Sequence, residues 1–268
     1  MHNEKFPYLQ LLSNSLNLHI LEHGYLKGDS NWNYPAVTSP FNRIYFVVKG
    51  EGFIRGPQGV VSLTEGNMYL IPCHTTYDYY CETEVEKFYI HFRLEYLGGM
   101  DFFEKLKACK SIPFDKKELD QLIKQATSTN LIEILDFKAS FLKGLTLFDS
   151  EHIALPPPQL QAIAQYQPLL EYIRNHCQIS LTPQQLADVI HFTPSSLTKK
   201  FKRDMGFTPK YYLQKQVMEK GKELLLCSTL SIKEIAYQLG FKDEFYFSRF
   251  FKKNQGVSPL YYRQNNRF

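Results

Sequence analysis

The chain has 268 residues, of which 44% are hydrophobic and 22% are charged, and its formal net charge is +4. This length accommodates two folded domains, and no apolar run approaches the roughly 18 residues that a membrane-spanning helix needs. The charge is unevenly divided, because residues 1–158 hold 15 Lys and Arg against 19 Asp and Glu, whereas residues 159–268 hold 16 against 8. The C-terminal part is therefore expected to face a polyanion.

The cysteines and the N-terminus indicate the compartment. Five cysteines are scattered without a Cys-x-x-Cys pair, which argues against a disulfide framework and a zinc site and fits a reducing environment. Buried free thiols are favoured over a redox sensor. The N-terminus has no signal-peptide layout. We expect a cytoplasmic protein that is neither exported nor embedded in a membrane.

Residues 16–95 have the pattern of short strands. Apolar residues alternate with polar ones from Leu16 to Ile20, and the β-branched and aromatic run at 43–48 is closed by turn-forming residues at 49–52. Further short apolar runs follow, separated by turn residues, at 53–55, 60–63, 68–71 and 87–92. This spacing predicts an all-β barrel or sandwich.

One short motif in this region matches a zinc-binding pattern. The segment His19-Ile20-Leu21-Glu22-His23 matches the His-x-x-Glu-His pattern that certain zinc peptidases place on a helix. Here the residues alternate as in a strand, Gly24 is expected to end the segment, and no third ligand suggests itself. We interpret the two histidines as neighbours on one face of a strand.

Aromatic residues are dense in the first 95 positions. Such side chains either fill a core or line an apolar pocket with a few polar tips, suitable for a sugar or another small ligand. The residues expected to contact such a ligand are Trp32, Arg43, Tyr45, Tyr77, Tyr89 and His91.

The turns of this region resemble those of cupins, through Gly50-Glu51-Gly52 and through Gly66 followed by Pro72. The resemblance implies a jelly-roll sensor barrel over residues 1–97. Enzymatic cupins have a His-x-His and Glu cluster in their first motif and a histidine in their second motif. In this chain the residues that match the first cluster, 42–45, are Asn-Arg-Ile-Tyr, and Tyr77 stands at the histidine position of the second motif. We therefore expect no metal, no other cofactor and no enzymatic activity.

Helical periodicity follows over residues 98–155. Apolar residues predict helical stretches around 102–106 and 119–123, and a third of about 19 residues over 131–149. The third has apolar residues on more than one face, which either pack on the barrel or form a surface shared with a second copy of the chain. The sequence Leu-Pro-Pro-Pro at 155–158 predicts an extended linker.

The remaining residues, 160–268, contain one pattern twice. Identical or similar residues recur 49 positions later in the first block of the pattern and 50 positions later in the second block. One residue is therefore inserted between the two blocks of the second copy, where a turn tolerates an insertion. The matched pairs include Ala187 with Ala236, Phe192 with Phe241, Phe201 with Phe251, and Gly206 with Gly256. Each copy is interpreted as helix, turn, helix.

The local chemistry of both copies favours a helix-turn-helix. Thr182 and Ser231 begin capping boxes, and Gly206 and Gly256 stand where a left-handed C-cap is expected. One such helix pair with a basic face could be an ordinary solvated bundle, but two in tandem favour second helices that enter the DNA major groove. The residues expected to contact DNA are Ser195, Ser196, Thr198, Lys199, Lys202, Glu244, Phe245, Tyr246, Arg249 and Lys252.

About 100 residues from Leu169 to Arg263 resemble the AraC family of transcription regulators. The most specific stretches are Ile-Ala-Tyr-Gln-Leu-Gly-Phe at 235–241, Tyr-Phe-Ser-Arg-Phe-Phe-Lys-Lys at 246–253, and the following Gly256, Ser258-Pro259 and Tyr262-Arg263. The connecting helix departs from the family, because Val217 and Gly221 replace its usual arginine and small residue. The glycine costs a helix about 1 kcal/mol relative to alanine.

These observations predict an α+β chain of two domains: a cupin-like β-barrel with a helical extension, then an all-α domain with two helix-turn-helix motifs joined by a linker helix. The implied function is transcription regulation, as activator or repressor. Its expected partners are double-stranded promoter or operator DNA, RNA polymerase, a small effector such as a carbohydrate, and a second copy of the chain. The main alternative is a cupin-type enzyme with a helical appendage, and divalent metal bound to the purified protein would favour this alternative. A partner-binding adaptor is another, which a gel shift would exclude.

Overall fold

The computed structural model describes residues 7–96, 100–148 and 157–266. Among them the chain forms two compact units: a sheet unit of residues 19–93 and 103–148, and a helical unit of residues 7–18, 94–96, 100–102 and 157–266. The predicted fold class, a cupin-like sheet-rich N-terminal part and an all-α C-terminal part, is confirmed. The domain boundaries stay predictions, since residues 97 and 155 lie outside the described residues.

Among the described residues, nine strands form one sheet with the order β1-β7-β3-β5-β9, while β4 and β6 pair with β3, β2 pairs with β6, and β8 pairs with β7. Their bounds are β1 Asn17–Asp29, β2 Tyr34–Thr38, β3 Asn42–Gly56, β4 Gly59–Thr64, β5 Asn67–Ile71, β6 Thr76–Tyr80, β7 Glu84–Tyr96, β8 Met100–Asp101 and β9 Lys110–Pro113.

Strand β3 passes through two parts of the sheet. Its first residues pair with β5 and β7, and its last pair with β4 and β6. The turn predicted at 49–52 is wrong, because β3 continues through it with a register shift between Val47 and Lys49. Gly50 permits this bend: its φ is +73°, and a Cβ there would overlap the carbonyl oxygen of Glu84.

Strand β1 contains the histidine motif. His19 and His23 lie on it, as predicted, but Gly24 does not end the strand, which continues to Asp29. A Cβ on Gly24 would lie 3.0 Å from the Tyr89 hydroxyl oxygen and 3.1 Å from its ring carbons, so the glycine makes room for that side chain. No group of three or more His, Cys, Asp or Glu able to hold a metal occurs among the described residues.

The strands bury one set of side chains in an interior cluster. Its members are mainly aromatic and β-branched, namely Trp32, Val37, Tyr45, Val47, Ile54, Leu63, Tyr69, Ile71, Tyr77, Tyr79, Cys81 and Val85. The alternate residues of β3, Ile44 and Phe46, point to the opposite face because successive side chains of a strand alternate. That opposite face is covered by helices.

Helix α2 (Lys116–Ala126) and helix α3 (Leu131–Leu145) complete the sheet unit, and a 3₁₀ turn (Thr146–Phe148) follows. Asp115 caps α2 by accepting hydrogen bonds from the backbone N–H groups of Lys117 and Glu118 at 2.8 and 3.2 Å. Phe137 and Phe141 of α3 are buried, so part of the third predicted stretch packs within the unit.

The helical stretch predicted at 102–106 is wrong. Residues 100–101 form β8, residues 102–105 are turn, and the chain then enters β9, which pairs with β5. Phe103 is buried with its ring edge against Phe92, at a centroid distance of 6.2 Å. A few apolar residues at helical spacing do not outweigh strand pairing with distant residues.

The helical unit consists mainly of α-helices. Their bounds are α1 Pro7–Ser15, α4 Pro157–Asn175, α5 Pro183–Asp188, α6 Pro194–Met205, α7 Pro209–Cys227, α8 Ile232–Gln238, α9 Glu244–Gln255 and α10 Pro259–Asn266. Two residues of the linker predicted at 155–158 lie outside the described residues. Pro157 and Pro158 are not extended but begin α4, since proline is tolerated in a first helical turn. No described helix combines the length and the apolar character required to cross a bilayer.

Candidate DNA-binding surface

Both predicted capping boxes are present in the helical unit. The Thr182 hydroxyl accepts a hydrogen bond from the Gln185 backbone N–H at 3.2 Å, and the Gln185 side chain accepts one from the Thr182 backbone N–H at 2.8 Å. Ser231 and Glu234 repeat the arrangement at 3.2 and 2.7 Å. The first helix of each copy, α5 or α8, therefore starts at a fixed residue.

The turns after α5 and α8 have the same backbone geometry. Phe192 N–H donates to the Ala187 carbonyl at 3.0 Å, and Phe241 N–H donates to the Ala236 carbonyl at 2.9 Å. His191 and Gly240 precede these phenylalanines, and both have positive φ. The repeat seen in the sequence is therefore a repeat of structure.

The second helix of each copy, α6 or α9, buries one stripe and exposes another. Leu197 and Phe201 are buried in α6, and Phe247 and Phe251 are buried in α9. Each helix ends at a left-handed glycine, Gly206 or Gly256, as predicted.

The structure exposes most of the residues predicted to contact DNA. Ser196 and Glu244 are half-buried, while the other eight are exposed: Ser195, Thr198, Lys199, Lys202, Phe245, Tyr246, Arg249 and Lys252. Thr198 on α6 and Tyr246 on α9 line the same groove, of about 520 Å³. The groove thus has one residue of each predicted stripe in its lining, and the other eight predicted residues lie outside that lining. Their contact with DNA stays a prediction.

Four of these cations remain available to an external anion. Lys199, Lys202, Arg249 and Lys252 form no ion pair with any residue that the structure describes. Exposed cations without a protein partner suit the phosphates and base edges of DNA.

Other polar residues near α6 are engaged within the protein. The Lys200 ammonium lies 4.8 Å from the centroid of the Phe192 ring, and Arg203 pairs with Asp204 at 2.7 Å. The Arg203 guanidinium lowers the pKa of Asp204, which also accepts a hydrogen bond of 2.7 Å from the Tyr166 hydroxyl. These groups fix the end of α6 to α4.

Helix α7 connects the two motifs. Its 19 residues span about 28 Å at 1.5 Å per residue. Gly221, one of the two departures from the family pattern, is buried, and a Cβ there would lie 3.4 Å from Leu239 and Phe247 side-chain atoms. These are ordinary van der Waals distances, so the packing of α7 against the second motif has room for a Cβ at this position.

Arg263 has a structural role that the sequence signature did not reveal. Its Nε donates to the Leu225 carbonyl at 2.9 Å and its Nη2 donates to the Leu230 carbonyl at 2.6 Å. These carbonyls belong to the end of α7 and the segment before α8, whose backbone acceptors need partners. The arginine therefore fixes the second motif on the connecting helix.

The residues predicted to contact a ligand lie in the sheet unit. Trp32, Tyr45 and Tyr77 belong to the interior cluster, whereas Arg43 and His91 are buried and Tyr89 is half-buried near β1. The structure therefore divides the predicted set between an aromatic interior and a polar group. Ligand contact stays a prediction for all six.

The polar group is centred on Glu22. His91 Nδ1 lies 3.0 Å from Glu22 Oε2, and the Tyr89 hydroxyl donates to Glu22 Oε1 at 3.1 Å. Burial lowers the pKa of His91 to about 4 despite the opposing effect of Glu22. The hydrogen bond from His91 lowers the pKa of Glu22. A neutral imidazole beside a carboxylate is expected at neutral pH.

Lys87 is a buried cation that the sequence reasoning missed. Its Nζ lies 3.4 Å from the Tyr45 ring centroid and 3.9 Å from that of Trp32, and it forms no ion pair with a described residue. Burial holds its pKa well below the usual range, and Arg43 acts in the same direction. Its position in the sequence, within the apolar and aromatic run at 87–92 that becomes part of β7, was the signal; in the structure it pairs with Val47 of β3.

Comparison with known proteins identifies the helical part. The family model described as "Helix-turn-helix domain" matches residues 186–265. The uncharacterized HTH-type transcriptional regulator YfiF of Bacillus subtilis (strain 168) is 27% identical over 241 residues, which cover 83% of this chain and 76% of that protein.

Several relatives are named for sugar operons. The xylose operon regulatory protein of Escherichia coli (strain K12) is 35% identical over 97 residues, covering 36% of this chain and 25% of that protein. The raffinose operon transcriptional regulatory protein RafR of Pediococcus pentosaceus is 30% identical over 107 residues, covering 40% of this chain and 39% of that protein. The chain thus spans less than half the length of either sugar-operon regulator.

Proposed function

The chain belongs to the AraC family of helix-turn-helix proteins through its C-terminal part, and we propose that it is a sequence-specific transcription regulator whose DNA binding is modulated by a small effector. The observation that carries this proposal is the duplicated motif with its two exposed basic stripes on α6 and α9. The relatives are regulators, and we propose that this chain too is a regulator and not an enzyme. Because it acts on promoter DNA, it works in the cytoplasm beside RNA polymerase.

The two motifs bind one DNA duplex together in this proposal. Adjacent major-groove segments on one face of DNA lie about 34 Å apart. Since α7 spans about 28 Å, a rigid α7 supports placing α6 and α9 in successive segments.

The effector binds inside the sheet unit in this proposal. Trp32 and Tyr45 offer aromatic faces, and Lys87 and Arg43 offer buried hydrogen-bond donors. Aromatic faces with a few convergent donors suit the hydroxyl oxygens of a carbohydrate. The sugar-operon names of several relatives agree with this class of ligand.

Helix α3 provides the surface for a second copy of the chain in this proposal. Leu131, Ile132 and Leu135 are 83%, 65% and 61% exposed, although the opposite face of the helix is buried. A contiguous exposed apolar face commonly marks a protein interface. Dimerisation doubles the DNA contacts and raises the overall affinity.

The test is selection of binding sites from a pool of random double-stranded DNA by the full chain. We expect an enriched site with two adjacent major-groove segments per protomer, confirmed by footprinting. The double variant K199A/R249A should lose the enrichment, while K116A, an exposed lysine on α2, should keep it. Failure of the wild type to enrich any sequence, or protection of a single groove segment, would contradict the proposal.

A further inference from the structure

Lys87 lies on the inner face of the sheet together with other polar residues of β3 and β7. Three pairs of residues face each other across these strands: Val47 with Lys87, Tyr45 with Tyr89, and Arg43 with His91. Side chains two positions apart on a strand share a face, so all six project to the same side of the sheet. That side is the interior cluster, because Tyr45 and Val47 belong to it.

The ammonium group of Lys87 lies against aromatic rings and not against a carboxylate. Lys87 is 3% exposed, and its Nζ is 3.4 Å from the centroid of the Tyr45 ring and 3.9 Å from that of Trp32. It forms no ion pair and no hydrogen bond with a residue that the structure describes. Aromatic faces attract a cation but replace only part of its lost hydration. An external anion would therefore stabilise this charge.

The Lys87 ammonium is not sealed from solvent. Its Nζ is not one of the described buried side-chain atoms that are fully enclosed and also lack a hydrogen-bond partner. Since Nζ has no such partner within the described chain, it keeps a small accessible area. A ligand group that enters the interior therefore reaches Nζ directly.

The charges near Lys87 indicate how much negative charge the ligand carries. Arg43 adds a second positive charge. Glu22 of β1 adds a negative one, since the hydrogen bond from His91 and the charge of Arg43 both lower the pKa of Glu22. Burial lowers the pKa of His91 to about 4, so this residue adds no charge at neutral pH. One further negative charge balances the group, which fits a carboxylate better than a phosphate monoester with its charge of about −1.5 to −2.

The surroundings of Lys87 suit a ligand body with several hydroxyl groups. Trp32 and Tyr45 offer ring faces to a sugar ring. The Glu22 side chain is 55% exposed and accepts a hydrogen bond of 3.1 Å from the Tyr89 hydroxyl, so it also offers acceptor oxygens to a ligand. An alkyl chain would displace water from these polar groups without replacing its hydrogen bonds.

We propose that the effector is an acidic sugar, such as a uronic acid, whose carboxylate forms an ion pair with Lys87 while its ring contacts Trp32 and Tyr45. This inference rests on the proposed binding of an effector inside the sheet unit, and it narrows that effector from a carbohydrate to a carbohydrate acid. Lys87 is then the residue that distinguishes the acid from the neutral sugar of the same shape.

Binding of the acid should depend on pH through Lys87. Burial holds the pKa of Lys87 well below its usual range, and Arg43 acts in the same direction. An opposite charge favours the ammonium form, so the acid should bind more tightly as the pH is lowered from about 9 to 6. The other titratable groups that face Lys87 keep their state in this range. Arg43 stays charged, burial raises the pKa values of Tyr45 and Cys81, and the pKa of His91 is about 4.

The test titrates the full chain with D-glucuronate and D-galacturonate, each matched with the neutral hexose of the same ring, D-glucose or D-galactose. Trp32 is the only tryptophan in the sequence, so its fluorescence reports on the ring beside Lys87. We expect at least one uronate to bind with a dissociation constant of about 1 mM or lower, at least about tenfold more tightly than its hexose. This preference should shrink as the pH is raised from about 6 to 9.

The possible failures are distinguishable. Equal affinity of each uronate and its hexose would overturn this inference and leave a carbohydrate effector standing. A preference that does not change with pH would place the carboxylate away from Lys87. Absence of binding by all four sugars would contradict both the acid and the carbohydrate effector, while the selection of DNA sites tests DNA binding separately.

Two lysine variants locate the carboxylate. Lys87→Met should reduce the affinity for the uronate to that for its hexose. The unfolding temperature should not fall, because an apolar side chain replaces a buried charge that has no ionic partner among the described residues. Lys110→Met changes an exposed lysine of β9 and should bind like the wild type. An undiminished preference for the uronate in folded Lys87→Met would refute the role of Lys87.

Discussion

His191 and Gly240 occupy the same position in the two helix-turn-helix motifs, and both adopt a left-handed backbone conformation, with φ of 56° and 74°. Each residue donates its backbone N–H to a carbonyl three residues earlier, at 3.2 and 3.0 Å. Their surroundings differ, because a Cβ on Gly240 would lie 2.8 Å from Gln178 Cβ and from Ser180 Oγ. The first turn therefore accommodates a side chain that the second excludes.

Gly240→Ala should lower the free energy of unfolding by about 2–4 kcal/mol, combining left-handed strain with overpacking. Gly256→Ala is the matched control, since Gly256 has a φ of +79° but open space around the missing Cβ. It should cost only the strain, about 1–2 kcal/mol. Urea unfolding of both variants measures the difference, and equal losses would show that the contacts at Gly240 relax freely.

Arg249→Ala should weaken binding to the selected DNA site by about 1–3 kcal/mol and binding to random DNA far less, because a long donor in the middle of α9 can reach guanine O6 and N7. Lys199 should behave likewise in α6.

Lys252→Ala is the comparison, since this residue lies farther along the helix and should meet phosphate. It should weaken binding to both DNAs alike. Gel shifts with the two DNAs at one salt concentration measure this, and equal losses for Arg249→Ala on both would contradict its role in base readout.

The free energy of unfolding should fall as the pH is lowered from 6.5 to about 4, because burial holds the pKa of folded His91 near the lower value. The unfolded state takes up the proton first, so the native state loses up to about 3 kcal/mol across that window. Glu22, whose pKa is lowered from 4.5, adds its loss only below that pH.

His91→Gln should flatten this dependence, whereas the exposed His23→Gln should leave it as in the wild type. Chemical denaturation at a series of pH values measures both. An unchanged slope in His91→Gln would mean that another group, such as the nearby buried Lys87 with its lowered pKa, dominates the acid sensitivity.

Leu135→Glu should convert a dimer to a monomer in sedimentation, because it places a charge in the exposed apolar face of α3. Ser140→Glu adds a charge at an exposed position on a different face of the same helix and should leave the dimer intact. The monomer should bind the selected DNA more weakly through lost avidity. A monomeric wild type would exclude this surface as a dimer interface.

The helical unit was predictable because its determinants are local. Three of them act within a few residues along the chain: the Thr182 and Ser231 caps, the C-cap glycines, and the one-turn spacing of buried pairs. Such pairs are Leu197 with Phe201 and Phe247 with Phe251. For the same reason, most of the residues predicted to form the exposed stripes of α6 and α9 are exposed in the structure.

The amino-acid sequence by itself determined that the C-terminal part forms two basic helix-turn-helix motifs, and that strands precede it. Only the tertiary structure decided that β3 continues through Gly50, that Phe103 packs against Phe92 instead of starting a helix, and that Lys87 is buried under two aromatic rings. These features depend on pairing and packing between residues far apart in the chain, for which no short-range periodicity exists.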